Sequence, residues 1–120
     1  MEVNGYKIEP YADLSKANLS GANLEGADLE GIVLWNAFLW HVCLANANLQ
    51  EANLIDATLR FANLEGAVLI GARLWATDLQ NANLKNADLR GANFQEANLE
   101  GAVLINANLE NAVLTDAVHN

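Results

Sequence analysis

Leucine recurs at every fifth position from Leu14 to Leu114, and this spacing limits the possible fold more than any other feature. Of the 21 positions in this series, only Phe94 is not leucine. Alanine stands two residues before nearly every one of them, and the residue between is most often Asn or Asp. Because no insertion interrupts the register over residues 12–116, the region is an internal repeat. The alanine position is occupied by another residue at Ile32, Val42 and Thr77.

A period of five fits neither a single helix nor a single strand. Five residues advance an α-helix by about 500°, so successive leucines would not share a face. In one long strand an odd period would point alternate leucines to opposite faces. The pattern is satisfied if the chain changes direction every five residues. Ala and Leu then point inward from a short extended segment, the Asn or Asp between them points outward, and the last two residues form a corner.

The second corner position favours Gly and Asn. A type II turn needs a positive φ at this position, and Gly and Asn adopt it at the lowest cost. The sequence therefore predicts a type II turn at each corner. The residues at this position include Gly21, Gly26, Gly31, Gly66, Gly71, Gly91, Gly101, Asn36, Asn46, Asn81, Asn86, Asn106 and Asn111.

The A(D/N)Lxx unit, unbroken over residues 12–116, resembles the pentapeptide repeat family. This resemblance implies an all-β, right-handed quadrilateral β-helix of about five coils, with four pentapeptides in each coil. Adjacent coils are then about 4.8 Å apart and the rod is roughly 25 Å long. Leucine fills the centre of the square and alanine lies beside it. The larger residues at the alanine position are expected to distort their corners slightly.

The chain is short enough for one domain, with the β-helix over residues 12–118 and a tail at 119–120. Residues 1–11 lie outside the repeat and carry three apolar side chains, Val3, Tyr6 and Ile8. Because an exposed strand edge invites pairing, this segment is predicted to be an N-terminal cap on the first coil.

No catalytic motif is present, and an enzyme is not expected. The sequence lacks a Walker motif, GxGxxG, GxSxG and HExxH. Stacking the coils is expected to place Ser15 and Ser20 far from His41 along the rod, which leaves no Ser–His pair. His41 and Cys43 resemble part of a metal site but have no evident third ligand. The sequence therefore predicts no cofactor and no metal.

The charge balance limits the partners and the location. Six Lys and Arg face fifteen Asp and Glu, a net charge of −9. Direct nucleic-acid or anionic-membrane binding is not expected, because both require positive charge. The N-terminus does not resemble a secretory leader, and no apolar run approaches the roughly 18 residues of a membrane span. With a single cysteine, Cys43, the chain is expected to be cytoplasmic.

The coil register gathers large side chains on two neighbouring faces. One face holds Trp35, Ile55 and Trp75 in a single column. Packing between coils and binding of a protein partner both explain such a cluster. The candidate partner patch comprises Trp35, Phe38, Trp40, His41, Ile55, Arg60, Phe61 and Trp75.

Another face is acidic, and the last coil is apolar on its outside. The acidic face has five carboxylates and one guanidinium, a sum of −4, from Asp28, Glu30, Glu51, Asp88, Arg90 and Glu110. The apolar outward residues of the last coil are Val103, Ile105, Val113 and Val118. An open strand edge beside apolar side chains predicts a homodimer through the C-terminal coil, with a monomer as the alternative.

The favoured function is a non-catalytic scaffold that presents its surface to an unidentified protein partner. The alternative is an acidic DNA mimic, because some proteins of the resembled family bind DNA gyrase in place of DNA. Duplex DNA of the same length would carry about fifteen negative charges, since it has one per roughly 1.7 Å. Residues 12–116 carry thirteen acidic and five basic residues, a net −8. The style of the repeat is that of cyanobacterial members.

Overall fold

The computed structural model describes residues 1–119 and confirms the all-β coil. Each outward residue between Ala and Leu pairs in parallel with the residue twenty positions later, from Asp13 with Val33 to Asn98 with Val118. Four corners separate one coil from the next, so the solenoid is quadrilateral. We number its faces 1 to 4 from Leu14, Leu19, Leu24 and Leu29, the leucines of the first coil.

Type II turns form the corners, as the sequence predicts. At the first corner of the first coil the N–H of Ala17 donates to the carbonyl oxygen of Leu14 at 3.0 Å. The second corner residue has a positive φ throughout residues 11–116. This holds for Gly and Asn and also for larger residues, such as Lys16 at 64° and Phe61 at 59°. Backbone geometry at the corner is therefore fixed by the fold, whatever the side chain.

The core is the column of leucines with alanines beside it. Phe94 is fully buried within this column. Thr77 is also fully buried, and its hydroxyl donates to the carbonyl oxygen of Leu54 at 2.7 Å. The turn hydrogen bonds measure 3.1 Å at Ile32 and 3.2 Å at Val42 and Thr77, against 2.9–3.1 Å at the alanine corners from Ala17 to Ala117. The predicted distortion at these corners is thus small.

A two-stranded hairpin covers the first coil. Strand β1 (Glu2–Val3) pairs antiparallel with β2 (Tyr6–Lys7). Asn4 and Gly5 both have positive φ, 52° and 83°, as a type I′ turn requires. Ile8 is buried in the core, and the apolar side chains of the hairpin pack against it.

The coil geometry begins slightly before the repeat motif. Tyr11 occupies a corner position with φ 64°, and its N–H donates to the carbonyl oxygen of Glu30 at 2.9 Å. Its ring lies where a side chain at Gly31 would stand, so Gly31 leaves room for it. The Tyr11 hydroxyl donates to the Glu30 carboxylate at 2.6 Å. Residues 1–11 are therefore joined to the first coil by both backbone and side-chain bonds.

The last coil presents a strand edge. Among residues 1–119 no acceptor reaches the backbone N–H of Leu104, Leu109 or Leu114. The leucines of this coil are half-buried, whereas those of the inner coils are buried.

The Cα positions extend over 36 × 20 × 19 Å. The long dimension exceeds the roughly 25 Å expected for the coils because it includes the hairpin.

No helix among the described residues is long and apolar enough to cross a membrane.

Candidate functional site

The outward Asn or Asp of each repeat has a structural role that the sequence analysis missed. Its side-chain oxygen accepts a hydrogen bond from the backbone N–H two residues later, at the first corner position. The N–H of Glu65 donates to Asn63 at 3.1 Å, and that of Lys85 donates to Asn83 at 3.0 Å. Within residues 1–119 all thirteen Asn and Asp residues at this position make the bond. This bond could have been predicted from the sequence, because Asn and Asp side chains commonly accept a hydrogen bond from the backbone N–H two residues later, and the corner follows at that offset.

All three tryptophans follow a repeat that lacks this Asn or Asp. The N–H of Trp40 donates instead to the hydroxyl oxygen of Ser20, one coil earlier, at 3.1 Å. For the N–H of Trp35 and Trp75 the described part of the chain supplies no acceptor. The outward positions without Asn or Asp are Val33, Phe38, Cys43, Thr58, Val68, Arg73, Val103, Val113 and Val118.

Face 1 carries two of the tryptophans in one column, two coils apart. The side chains of Trp35 and Trp75 are 38% and 42% exposed, and Ile55 between them is half-buried. The Lys16 ammonium lies 5.3 Å from the centroid of the Trp35 ring. The indole N–H of Trp75 donates to the Glu96 carboxylate at 2.7 Å.

Face 2 carries the rest of the cluster. Phe38, Trp40 and Phe61 are all exposed. The Arg60 guanidinium lies 5.3 Å from the centroid of the Trp40 ring and donates to the Asp78 carboxylate at 2.6 Å. The guanidinium is thus held over the indole by an ion pair with the following coil.

His41 and Phe61 complete this cluster at a corner between faces 2 and 3. Their rings stack with centroids 5.0 Å apart and an interplanar angle of 6°. Both residues have positive φ, 58° and 59°. Large side chains seldom occupy this conformation, which costs about 1–3 kcal/mol per residue.

We call the eight residues predicted as a partner surface the aromatic patch: Trp35, Phe38, Trp40, His41, Ile55, Arg60, Phe61 and Trp75. They lie together on faces 1 and 2, and their outward placement is confirmed, with Ile55 and Arg60 half-buried and the other six exposed. Their role in binding stays a prediction. The residues predicted for the dimer end, Val103, Ile105, Val113 and Val118, are also exposed, and dimer formation likewise stays a prediction.

The acidic residues gather on face 4, as the register predicts. Here the Arg90 guanidinium donates two hydrogen bonds to the Asp88 carboxylate, at 2.8 and 2.7 Å. These bonds lower the pKa of Asp88 and raise that of Arg90. At the first coil the hydrogen bond to Glu30 raises the pKa of Tyr11. Both interactions are on the surface and join residues of the scaffold to one another.

One sequence expectation about chemistry is wrong. Ser20 was expected far from His41 along the rod, yet its hydroxyl oxygen accepts the N–H of Trp40, the residue next to His41. Ser20 shares a column with Trp40 because residues twenty apart stack. Its hydroxyl oxygen accepts the corner N–H in place of an Asn side-chain oxygen.

The surface of residues 1–119 has no cavity, and they form no cluster of three or more His, Cys, Asp or Glu side chains that would hold a metal ion. Cys43 is half-buried on face 3. The exposed aromatic patch is therefore the most distinctive feature that the described chain presents.

Comparison with known proteins connects this architecture to a family. The family model described as pentapeptide repeats matches residues 12–50, 36–69, 47–86, 67–104 and 92–118. No curated protein matches the chain significantly.

Solved structures agree with the fold. QnrB1, described as a plasmid-mediated fluoroquinolone resistance protein, superposes with a TM-score of 0.71 at 17% identity. That alignment covers 86% of this chain and 60% of the QnrB1 chain, so this likeness concerns the fold alone. The pentapeptide repeat protein alr5209 from Nostoc Pcc 7120 superposes with a TM-score of 0.68 at 32% identity, covering 90% of this chain and 84% of alr5209. The chain belongs to the pentapeptide repeat family.

Proposed function

We propose that this protein is a non-catalytic scaffold that binds a protein partner through the aromatic patch. The observation that carries the proposal is the exposure of five large aromatic side chains on two adjacent faces. Their exposed fractions are 38% to 51%, and they are Trp35, Phe38, Trp40, Phe61 and Trp75. Exposed aromatic clusters are typical of interface anchors, because aromatic side chains bury much apolar area when a partner covers them.

Backbone strain at His41 and Phe61 means that their side chains add little stability, although large residues outside the patch, such as Glu51 and Glu96, share this conformation. His41 and Phe61 occupy a corner where the neighbouring coils have Gly21 and Asn81. A corner that served only stability would favour Gly or Asn, since these residues adopt positive φ at lower cost.

Charge distribution is a second support. Arg60 and Arg73 balance Asp56 and Asp78 on faces 1 and 2 over residues 32–41, 52–61 and 72–81, so this area is neutral in a chain of net charge −9. Depletion of charged residues together with aromatic enrichment is typical of the core of a protein interface, and only four of these thirty residues are charged. We place this interaction in the cytoplasm, on the basis of the single cysteine, Cys43.

An acidic DNA mimic is supported less well. It requires negative charge spread along the rod, whereas here a sum of −4 lies on face 4 and faces 1 and 2 carry the aromatic patch. A supercoiling assay with DNA gyrase tests this alternative, which predicts inhibition by the wild type.

The proposed function is tested by affinity capture from cell extract, with bound proteins identified by mass spectrometry. The wild type is compared with a variant carrying Trp35→Ala, Trp40→Ala and Trp75→Ala. A matched control carries Gln50→Ala, Ile70→Ala and Arg90→Ala, which change the same corner position on face 4. We expect a partner that the wild type and the control capture and the tryptophan variant does not. Equal capture by all three proteins would contradict the proposal.

A further inference from the structure

We infer that the corners of Trp35 and Trp75 form two anion-binding subsites that together take an acidic peptide segment, with its carboxylates three residues apart. This inference rests on the proposed function, since it names the chemistry of the partner that the aromatic patch binds.

Each of the two corners has a backbone donor for which residues 1–119 supply no acceptor. Among the corners of this kind only these two carry a tryptophan; the others are Ala45, Arg60, Ile70, Ile105 and Thr115. At thirteen other corners the oxygen of an Asn or Asp side chain accepts this N–H. The equivalent positions here hold Val33 and Arg73, and no acceptor among residues 1–119 replaces the missing oxygen. A carboxylate from a partner would restore the bond that the repeat ordinarily makes within itself.

A basic residue lies on face 1 near each of the two tryptophan corners. The Lys16 ammonium lies 5.3 Å from the Trp35 ring centroid. Arg73 is exposed and takes the outward position two residues before Trp75, where the other coils of face 1 have Asp13, Val33, Asn53, Asn93 and Val113. Donor and cation at one corner are complementary to a carboxylate, because charge-assisted hydrogen bonds are about twice as strong as neutral ones.

A carboxylate of the chain itself already binds beside the Trp75 subsite. Glu96 accepts the indole N–H of Trp75 at 2.7 Å, which leaves the backbone N–H of Trp75 available. Asp56 is the other carboxylate of this part of face 1 and stands between the two subsites along the column. It opposes an incoming anion, so the affinity depends on contacts at both subsites together.

The spacing of the subsites defines the partner segment. Trp35 and Trp75 are two coils apart, which is about 9.6 Å at the usual strand separation of about 4.8 Å. A polyproline II helix rises about 3.1 Å per residue with three residues per turn, so positions i and i+3 lie on the same side about 9.3 Å apart. Carboxylates three residues apart on such a segment match both corners, and the residues between them lie over Ile55.

The test is calorimetric titration of the protein with capped twelve-residue peptides. The probe is (Asp-Pro-Pro)4, which repeats Asp every third residue. Its controls are (Asn-Pro-Pro)4, which removes the charge, and (Asp-Pro)4-Pro-Pro-Pro-Pro, which keeps the composition and changes the spacing. We expect the probe to bind at least about tenfold more tightly than either control, a factor equal to about 1.4 kcal/mol.

Substitutions that restore the repeat consensus then remove the subsites without disturbing the fold. In Val33→Asn/Arg73→Asn an Asn oxygen accepts each open N–H, and all three tryptophans remain. We expect this variant to lose at least about tenfold in affinity for the probe. The control Cys43→Asn/Val68→Asn places Asn at the same outward position on faces 3 and 4 and is expected to bind like the wild type. Val33→Asn alone, which keeps the Arg73 charge, is expected to lose affinity as well.

Amide proton shifts locate the contact. Binding of the probe is expected to move the amide protons of Trp35 and Trp75 downfield and to leave that of Ile55, already bonded to Asn53, nearly unchanged. Equal affinity of the probe and its controls, or full binding by Val33→Asn/Arg73→Asn, would overturn the inference. If capture of a partner depends on the tryptophans but the wild type does not bind the probe, the proposed function stands and this inference fails.

Discussion

The rings of His41 and Phe61 stack at 5.0 Å on backbone that is left-handed at both residues. The stack is worth about 0.5–1.5 kcal/mol, whereas the left-handed backbone costs about 1–3 kcal/mol at each residue. The fold thus gains little stability from the pair. A stability measurement can therefore distinguish a packing role of the pair from a role in binding.

The substitution Phe61→Asn is expected to leave the melting temperature unchanged or to raise it, because relief of the left-handed strain offsets the loss of the stack with His41. The reverse change one coil later, Asn81→Phe, introduces that strain and is expected to lower the melting temperature. Circular dichroism melts of both variants check this. A loss in Phe61→Asn as large as that in Asn81→Phe would mean that the pair is there for stability.

The outward Asn and Asp residues give a second prediction. Asn63→Ala removes the acceptor of the Glu65 N–H and is expected to cost about 1 kcal/mol of unfolding free energy. Val68→Asn supplies an acceptor to the Ile70 corner and is expected to gain a similar amount. Denaturant titration of both variants measures the two changes. Changes in unfolding free energy of opposite sign would support a stabilising hydrogen bond from the outward Asn. No change in either variant would contradict it.

Much of this molecule follows from the period of the sequence. A five-residue spacing excludes one helix and one strand, and positive φ at the corners follows from residues such as Gly91 and Asn86. Placement of Trp35 and Trp75 on one face then needs only the twenty-residue coil. The exposed aromatic patch could therefore be located from the sequence.

Other features depended on atomic positions. The hydrogen bond from the N–H of Trp40 to the hydroxyl oxygen of Ser20 links residues in successive coils, so Ser20 lies nearer to His41 than the expectation from sequence. The open N–H groups at Trp35 and Trp75 became visible only once the bonds at the other corners were known. Tyr11 entered the coil before the motif begins because a corner fixes backbone geometry and tolerates many side chains.

A third prediction concerns pH. Its hydrogen bond to Glu30 raises the pKa of Tyr11 above the ordinary value of about 10. The protonated hydroxyl is the donor, so the stabilisation is complete below about pH 10 and is lost as the pH rises through the raised pKa. Tyr11→Phe is expected to be less stable than the wild type at neutral pH, with the difference vanishing at high pH. Melting temperatures of both proteins across this range test it, and a difference that stays constant would contradict it.

A fourth prediction concerns assembly of the 120-residue chain. We propose that it pairs through the last coil, where open N–H groups lie beside Val103, Ile105, Val113 and Val118. Light scattering after size exclusion is expected to give twice 12.9 kDa at micromolar concentration. Val113→Lys is expected to shift the protein toward the monomer. A dimer that resists this change but is lost in Trp35→Ala would place the interface on the aromatic patch.

Acrylamide quenching of tryptophan fluorescence, with and without the captured partner, tests the central claim most directly. Trp35, Trp40 and Trp75 are 38%, 40% and 42% exposed, so the free protein is expected to emit at long wavelength and to be quenched readily. Addition of the partner is expected to shift the emission to shorter wavelength and to protect it from acrylamide. Protected emission in the free protein, or unchanged quenching in the complex, would contradict a partner-binding role for the aromatic patch.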